Sequence, residues 1–190
     1  MKILYLYANP CAMELAEFLK AQRHQVEICK GKLDPVWCAG QSFDLTVSYT
    51  YPYILTGETL SALRHNVVNI HNAYLPWNRG ADPNLWSILE QTPRGVTLHY
   101  MSERLDGGDI IAQEIVPQQP DDTLHSSYYA LDAAAKRLFK DAFAYYGYWP
   151  QMRKKQLGEG SYHSVKDGAL MRALIRDYAM PAAEFRAAYR

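Results

Sequence analysis

The first seventy residues alternate between short apolar runs and amphipathic stretches, and this alternation limits the possible folds more than any other feature of the chain. Lys2 to Tyr7 reads as a buried first strand. Ala12, Leu15, Ala16 and Leu19 recur at helical spacing, which predicts an amphipathic helix over 12–22. Gln25 to Cys29 and Asp44 to Tyr49 read as the second and third strands, Gly57 to Arg64 as a second helix, and Val67 to Ile70 as a fourth strand. Strands alternating with helices predict an α/β fold, with a Rossmann-like, mostly parallel sheet covered by helices. Ligands of such sheets bind beyond the carboxyl ends of the strands. The first strand runs into ANPCAMELA and not into a G-x-G-x-x-G turn, so a tight dinucleotide phosphate cradle is not expected.

Further along, Asp82-Pro83 reads as a helix start, with a capping side chain, Pro at the first helical position, and Leu85, Trp86 and Leu89 as the apolar face. Gly95 to Met101 and Ile110 to Val116 form a predicted hairpin. Asp122-Thr123 opens a long helix whose buried stripe is Leu124, Tyr128, Leu131, Leu138 and Phe139. After Gly147 the polar stretch QMRKKQLGEGSYHSVKDG reads as a linker or hairpin, followed by a helical region from about Asp167 to Tyr189 that Pro181 interrupts. The expected organisation is a main unit over 1–147 and a small extension over 148–190.

Composition removes several classes of function. Twenty basic and 20 acidic residues cancel, so the basic excess of a nucleic-acid surface is missing and no nucleic-acid partner is expected. No run approaches the roughly 20 apolar residues of a spanning helix, and the N-terminal apolar run is too short for a signal peptide. Cys11, Cys29 and Cys38 are odd in number and lack metal-ligand spacing, so they read as free thiols of a reducing compartment. The expectation is a cytoplasmic protein with no membrane partner.

The residues that carry chemistry begin at the end of the fourth strand. Asn69 and His71 are one residue apart, so in a strand they share a face. An amide and an imidazole ending an apolar strand suit stabilisation of a developing oxyanion and movement of a proton. Asp106, in the turn of the hairpin, supplies a carboxylate that can meet them. Taken together, Asn69-x-His71, Leu75-Pro76, Gly95-Val96-Thr97-x-His99 and Leu105-Asp106-Gly-Gly108 resemble the formyltransferases that use 10-formyltetrahydrofolate, over about Asp44 to Leu138. Among them the chain looks most like the sugar-nucleotide N-formyltransferases.

The resemblance implies transfer of a formyl group from 10-formyltetrahydrofolate, as co-substrate and without a metal, to a primary amine of a nucleotide-linked amino sugar. It implies Asn69, His71 and Asp106 as the catalytic residues, with Asp106 and not Asp109 as the catalytic carboxylate, and His99 as support for the loop. The folate loop is Ser48 to Leu55, with Tyr53, Ile54 and Leu55 lining the pterin slot and Met101 to Leu105 forming the opposite wall. On the acceptor side, Arg79 is placed to hold a phosphate or sugar hydroxyl, and Trp77 or Tyr162 to stack on a sugar or base. Gly160-Ser161-Tyr162-His163 also resembles the sugar enzymes. The motif strand comes early, which implies a shortened N-terminal half, and the C-terminal domain of the tRNA enzyme has no counterpart here. A homodimer is compatible with the sequence. The rival readings are hydrolysis of the same folate, recognised by formate release without an acceptor, and a folate- or nucleotide-binding module without catalysis.

Overall fold

A computed structural model describes residues 1–189. Its centre is a six-stranded sheet of β1 (Lys2–Leu6), β2 (Gln25–Cys29), β3 (Leu45–Tyr49), β4 (Val67–His71), β6 (Gly95–Tyr100) and β7 (Ile110–Ile115), in the order β2-β1-β3-β4-β6-β7. The pairs from β2 to β4 are parallel, while β6 is antiparallel to both β4 and β7. β6 is therefore the single reversed strand of this sheet, as the predicted hairpin requires. A separate short pair joins β5 (Arg79–Gly80) to β8 (Tyr162–His163).

One face of the sheet carries α1 (Met13–Ala21) and α5 (Leu124–Phe143). Leu15 and Leu19 of α1 and Leu131, Ala135 and Phe139 of α5 pack against Ile3, Tyr5, Val68, Ile70, Val96 and Leu98. α5 starts where the sequence places it: Thr123 Oγ1 accepts the Ser126 amide and Ser126 Oγ accepts the Thr123 amide, both at 3.0 Å. Tyr128 and Leu138 lie at the edge of its buried stripe and are only half-buried. The other face is covered by α2 (Pro35–Ala39) and α3 (Gly57–Ala62), but only over one half; Leu4, Leu6, Cys38, Leu60 and Val67 form that second core.

Two helix starts correct the sequence reading. α4 (Pro83–Glu90) does begin at Pro83, but Asp82 does not cap it: the residue is left-handed (φ 53°), and its carboxylate pairs with Arg172. The same Asp-Pro signature at Asp34-Pro35 does cap a helix, Asp34 Oδ1 accepting the Val36 amide at 2.8 Å, and that helix, α2, was not expected. What separates the two is the partner available to the carboxylate.

The stretch after Gly147 is neither a free linker nor a hairpin on itself. Trp149 of α6 (Trp149–Met152) is fully buried in the main core. Lys154 exchanges both backbone hydrogen bonds with Ile110, and β8 pairs with distant β5. Beyond it, α7 (Ala169–Ala173) and α8 (Ala182–Tyr189) bring Met171 and Phe185 against Leu85, Trp86 and Ile88 of α4. No helix of the described residues is long and apolar enough to cross a membrane.

Candidate active site

The site grows out of strand alternation. Val68 and Ile70 of β4 point into the core beneath α5, so Asn69 and His71 point the other way. On β6, Val96, Leu98 and Tyr100 face the core, leaving Thr97 and His99 on the opposite side. The antiparallel register sets Asn69 opposite His99 and His71 opposite Thr97. Four polar side chains thus meet on the half of the sheet that α2 and α3 do not reach.

Residues 101–109 fold back over them. The Met101 amide donates to Val67 O at 2.8 Å and the Tyr100 amide to Asp109 O at 2.9 Å, closing the loop at its base. A side chain on Gly108 would collide with Tyr100 O, its Cβ lying 1.8 Å away, so only glycine fits there. Asp106 takes a left-handed backbone (φ 48°), a conformation Asp tolerates better than most residues, and delivers its carboxylate to the strands.

That carboxylate is buried and crowded by donors. Asn69 Nδ2 donates to Oδ1 at 3.3 Å and the Gly80 amide to Oδ2 at 2.9 Å. His71 Nε2 lies 3.6 Å from Oδ2, and His99 Nε2 3.6 Å from Oδ1. Burial works against the charged carboxylate, but the charge of His71, the hydrogen bond and charge of His99 and the Gly80 amide outweigh it, holding the carboxyl well below the usual carboxylate range. Asp106 is therefore a fixed anion at neutral pH. His71 Nε2 also sits 3.1 Å from Asn78 O. Both its neighbours are acceptors, so Nε2 carries the hydrogen. His99 Nδ1 donates to Tyr100 O at 2.8 Å, tying this residue into the loop base. Asp109 stands apart and pairs with Lys155 at 2.9 Å.

A second loop, 72–82, forms another wall. Thr97 Oγ1 donates to Ala73 O at 2.7 Å and accepts the Leu75 amide at 3.2 Å. Buried Asn78 receives the Ser161 hydroxyl and gives its own amide to it, at 3.2 and 2.8 Å. Arg79 is 8% exposed and donates to Glu159 O and Ser161 O, so its guanidinium braces the chain instead of standing free in a pocket. The Tyr162 ring lies over Gly80, close enough that a Cβ there would be 3.1 Å from Cε2. Trp77 is half-buried on the same loop.

On the folate side expected from the sequence, Leu55 is buried in one apolar cluster with Leu60 and Val67, and Met101 packs against it. The start of α3 lies against the Asp106 loop: a Cβ on Gly57 would be 2.7 Å from Glu103 Oε1. Leu105 is half-buried, whereas Tyr53 and Ile54 are exposed. A cavity of about 360 Å³ opens beside the Asp106 loop, between Leu60, Met101, Glu103, Gly108 and Arg153. Among the described residues no group of His, Cys, Asp and Glu is arranged to hold a metal.

Residues 37–143, more than half of the chain, match the formyl transferase family model. The chain belongs to the formyl transferase family. A 99-residue stretch is 34% identical to methionyl-tRNA formyltransferase of Listeria monocytogenes, covering 52% of this chain and 32% of that protein, so the match spans about a third of the curated relative. Among solved structures, formyltransferase PseJ from Anoxybacillus kamchatkensis, in complex with UDP-4,6-dideoxy-4-formamido-L-AltNAc and tetrahydrofolate, is 34% identical with a TM-score of 0.87 over 97% of both chains. A sugar N-formyltransferase from Shewanella sp FDAARGOS_354 shares the fold at 22% identity, with a TM-score of 0.76 over 98% of this chain and 86% of that one. For this formyl transferase family member, sequence reasoning missed Gln156, whose amide donates to Asp106 O at 2.7 Å and to Gly108 O at 2.9 Å. It also missed the Gly80 amide and the Asn78–Ser161 pair. Nothing in the polar run around Gln156 marks it, because its partners lie about fifty positions earlier.

Proposed function

We propose that the protein transfers a formyl group from 10-formyltetrahydrofolate to the primary amine of a nucleotide-linked amino sugar. The observation that carries this reading is the likeness to PseJ over 97% of both chains, in a complex that holds a formamido sugar nucleotide and tetrahydrofolate. The apolar Leu55–Met101 cluster beside the polar Asn69–His71–Asp106 group suits a flat heterocycle whose reactive end must meet donors. When bound, the folate supplies an activated formyl carbonyl. On this reading the Asn69 amide and His71 N–H turn toward the formyl oxygen and stabilise the charge that develops there as the neutral amine adds. Asp106 stays ionised, orients His71 and offsets the positive charge His71 gains on taking up the amine proton; as the bond from the formyl carbon to the folate nitrogen breaks, that proton passes to this nitrogen and tetrahydrofolate leaves. Exposed Tyr53 and Ile54 close over the pterin, half-buried Leu105 joins Met101 on the facing wall, and Tyr162 and Trp77 receive the acceptor, with Arg79 bracing that side. The balanced charge of the chain makes charged tRNA a poor acceptor. The three free thiols suit a cytoplasmic protein.

The test is a panel of amino-sugar nucleotides incubated with formyl donor and read by mass. The expected result is a gain of one formyl group on at least one sugar. Formate released equally fast without any acceptor, and no formylated sugar, would replace transfer by hydrolysis.

A further inference from the structure

Asp106 is the only side chain of its loop that reaches the polar group on β4 and β6, and it does so from a left-handed backbone. Within the loop, the Gly107 amide and Ser102 Oγ both bond Arg104 O, which shapes the turn but does not fix its position over the sheet. Besides the bonds made by the Asp106 carboxylate itself, the hold on the backbone of its tip comes from residues 153–163, which run past it as a strap. Lys154 anchors one end through two backbone hydrogen bonds to Ile110. Tyr162 and His163 anchor the other end by pairing with Arg79 and Gly80. Between these anchors, Gln156 Nε2 places its two hydrogens on Asp106 O and Gly108 O, at 2.7 and 2.9 Å.

The rest of that amide does nothing else. Gln156 Oε1 is buried and has no hydrogen-bond partner among the described residues. A reversed amide would set an oxygen against two carbonyl oxygens, so the donors settle its orientation. A side chain that spends both donors on the catalytic loop and leaves its acceptor bare is not serving as filler, for which an apolar residue would cost less. The strap also steadies the carboxylate from the far side, because Gly80, whose amide donates to Asp106 Oδ2, is held in the β5–β8 pair.

We propose that Gln156 is a positioning residue for formyl transfer: by bonding Asp106 O and Gly108 O it sets the place of the Asp106 carboxylate against His71 and Asn69. The strap lies outside residues 37–143, so it is an addition to the part of the chain that matches the family model. The inference rests on the formyl-transfer reading for its catalytic consequence, but its mechanical part can be read without turnover.

Three variants test it: Gln156→Leu and Gln156→Glu lose the paired donors, and Gln156→Lys restores an N–H donor. Steady-state rates at saturating substrates, folate Kd by calorimetry, and hydrogen exchange of residues 101–110 are measured on each. The first two variants are expected to lose kcat on the order of 10- to 100-fold, since small displacements of a catalytic group are enough for that. Their folate Kd should change by less than about threefold, because the apolar wall is untouched. Exchange in 101–110 should quicken, and Gln156→Lys should recover most of both losses. The Gln156→Glu deficit should shrink at lower pH, where a protonated carboxyl regains one donor. Wild-type kcat and wild-type exchange in Gln156→Leu would overturn the proposal, as would Gln156→Lys behaving like Gln156→Glu in both readouts. If the wild type itself forms no formylated product while exchange responds as described, the formyl-transfer reading fails and the tether stands.

Discussion

The two sides of β4 and β6 are covered in opposite ways. On one side, Val68, Ile70, Val96 and Leu98 lie under regular helices, mainly α5, in a continuous apolar core. On the other, Asn69, His71, Thr97 and His99 lie under three irregular segments: the 72–82 loop, the 101–109 loop and the 153–163 strap. Helices pack on a sheet by burying area and need no particular atom opposite another. Loops over polar side chains must satisfy backbone and side-chain groups individually, and here they do so with named bonds such as Asn78–Ser161 and Gln156–Asp106, leaving Gln156 Oε1 bare. One face therefore supplies the continuous apolar burial and the other the chemistry, from alternate residues of the same two strands.

The largest expected effect breaks that comparison on its chemical side. His71→Ala and Asp106→Asn should each lower kcat for formyl transfer by a factor on the order of 10² or more in protein that still folds, while folate Kd stays near that of the wild type. The double variant should lose less than the product of the two, since both act on one charge arrangement. Near-normal turnover in either folded variant would remove that residue from the mechanism.

On the core side the signs reverse. Leu98 is fully buried between the sheet and α5. Leu98→Ala should cost about 2–5 kcal/mol of stability in chemical denaturation. The turnover of the molecules that remain folded should hardly change. A selective loss of kcat at full stability would mean that the two faces are not separable.

These faces were unequally legible in the sequence. The core could be read because alternation and helical spacing are local: β1 to β4, α1, α3 and α5 follow from runs of a few residues. Asn69 and His71 could also be read, as polar residues breaking an apolar strand, and Asp106 through its motif. The bonding of the cover could not be read: Ser161 and Gly80 lie in stretches that the resemblance marks, but their partners, like those of Gln156, are far away in the chain. The short helix α2 escaped because five residues give too little periodicity to stand out. Asp82 misled because its carboxylate finds Arg172, ninety positions on, in place of the helix end beside it.

A smaller effect concerns pH. The Asp106 carboxyl lies well below its ordinary range in the folded state, so it contributes stability above the unfolded value of about 3.9. That contribution is lost as pH falls through the depressed folded value. In urea titrations the stability gap between wild type and Asp106→Asn should therefore be full at pH 7 and 5, and should narrow below about pH 4. A gap that stays constant down to pH 3 would mean that the donors around Asp106 do not favour its charged form.

The smallest effect separates two roles for Arg79, at the join of the chemical face and the strap. As a phosphate ligand it would act on the acceptor alone, and the contact would weaken with salt. As a brace it acts on the chain, because its Nε and Nη2 donors reach Ser161 O and Glu159 O. The geometry favours the brace: Arg79→Ala should lower stability by about 1–2 kcal/mol, the worth of two hydrogen bonds to neutral partners. Folate affinity should not change, since the apolar cluster of Leu55 and Met101 contains neither Arg79 nor its bonding partners. The acceptor KM should rise a few-fold, because Tyr162 sits on Gly80, the next residue, and moves with the strap. The deciding measurement is the ratio of acceptor KM in the variant to that in the wild type at rising ionic strength. A brace leaves this ratio flat with salt, while a direct diphosphate contact makes it shrink toward one, because salt weakens in the wild type the contact that the variant already lacks.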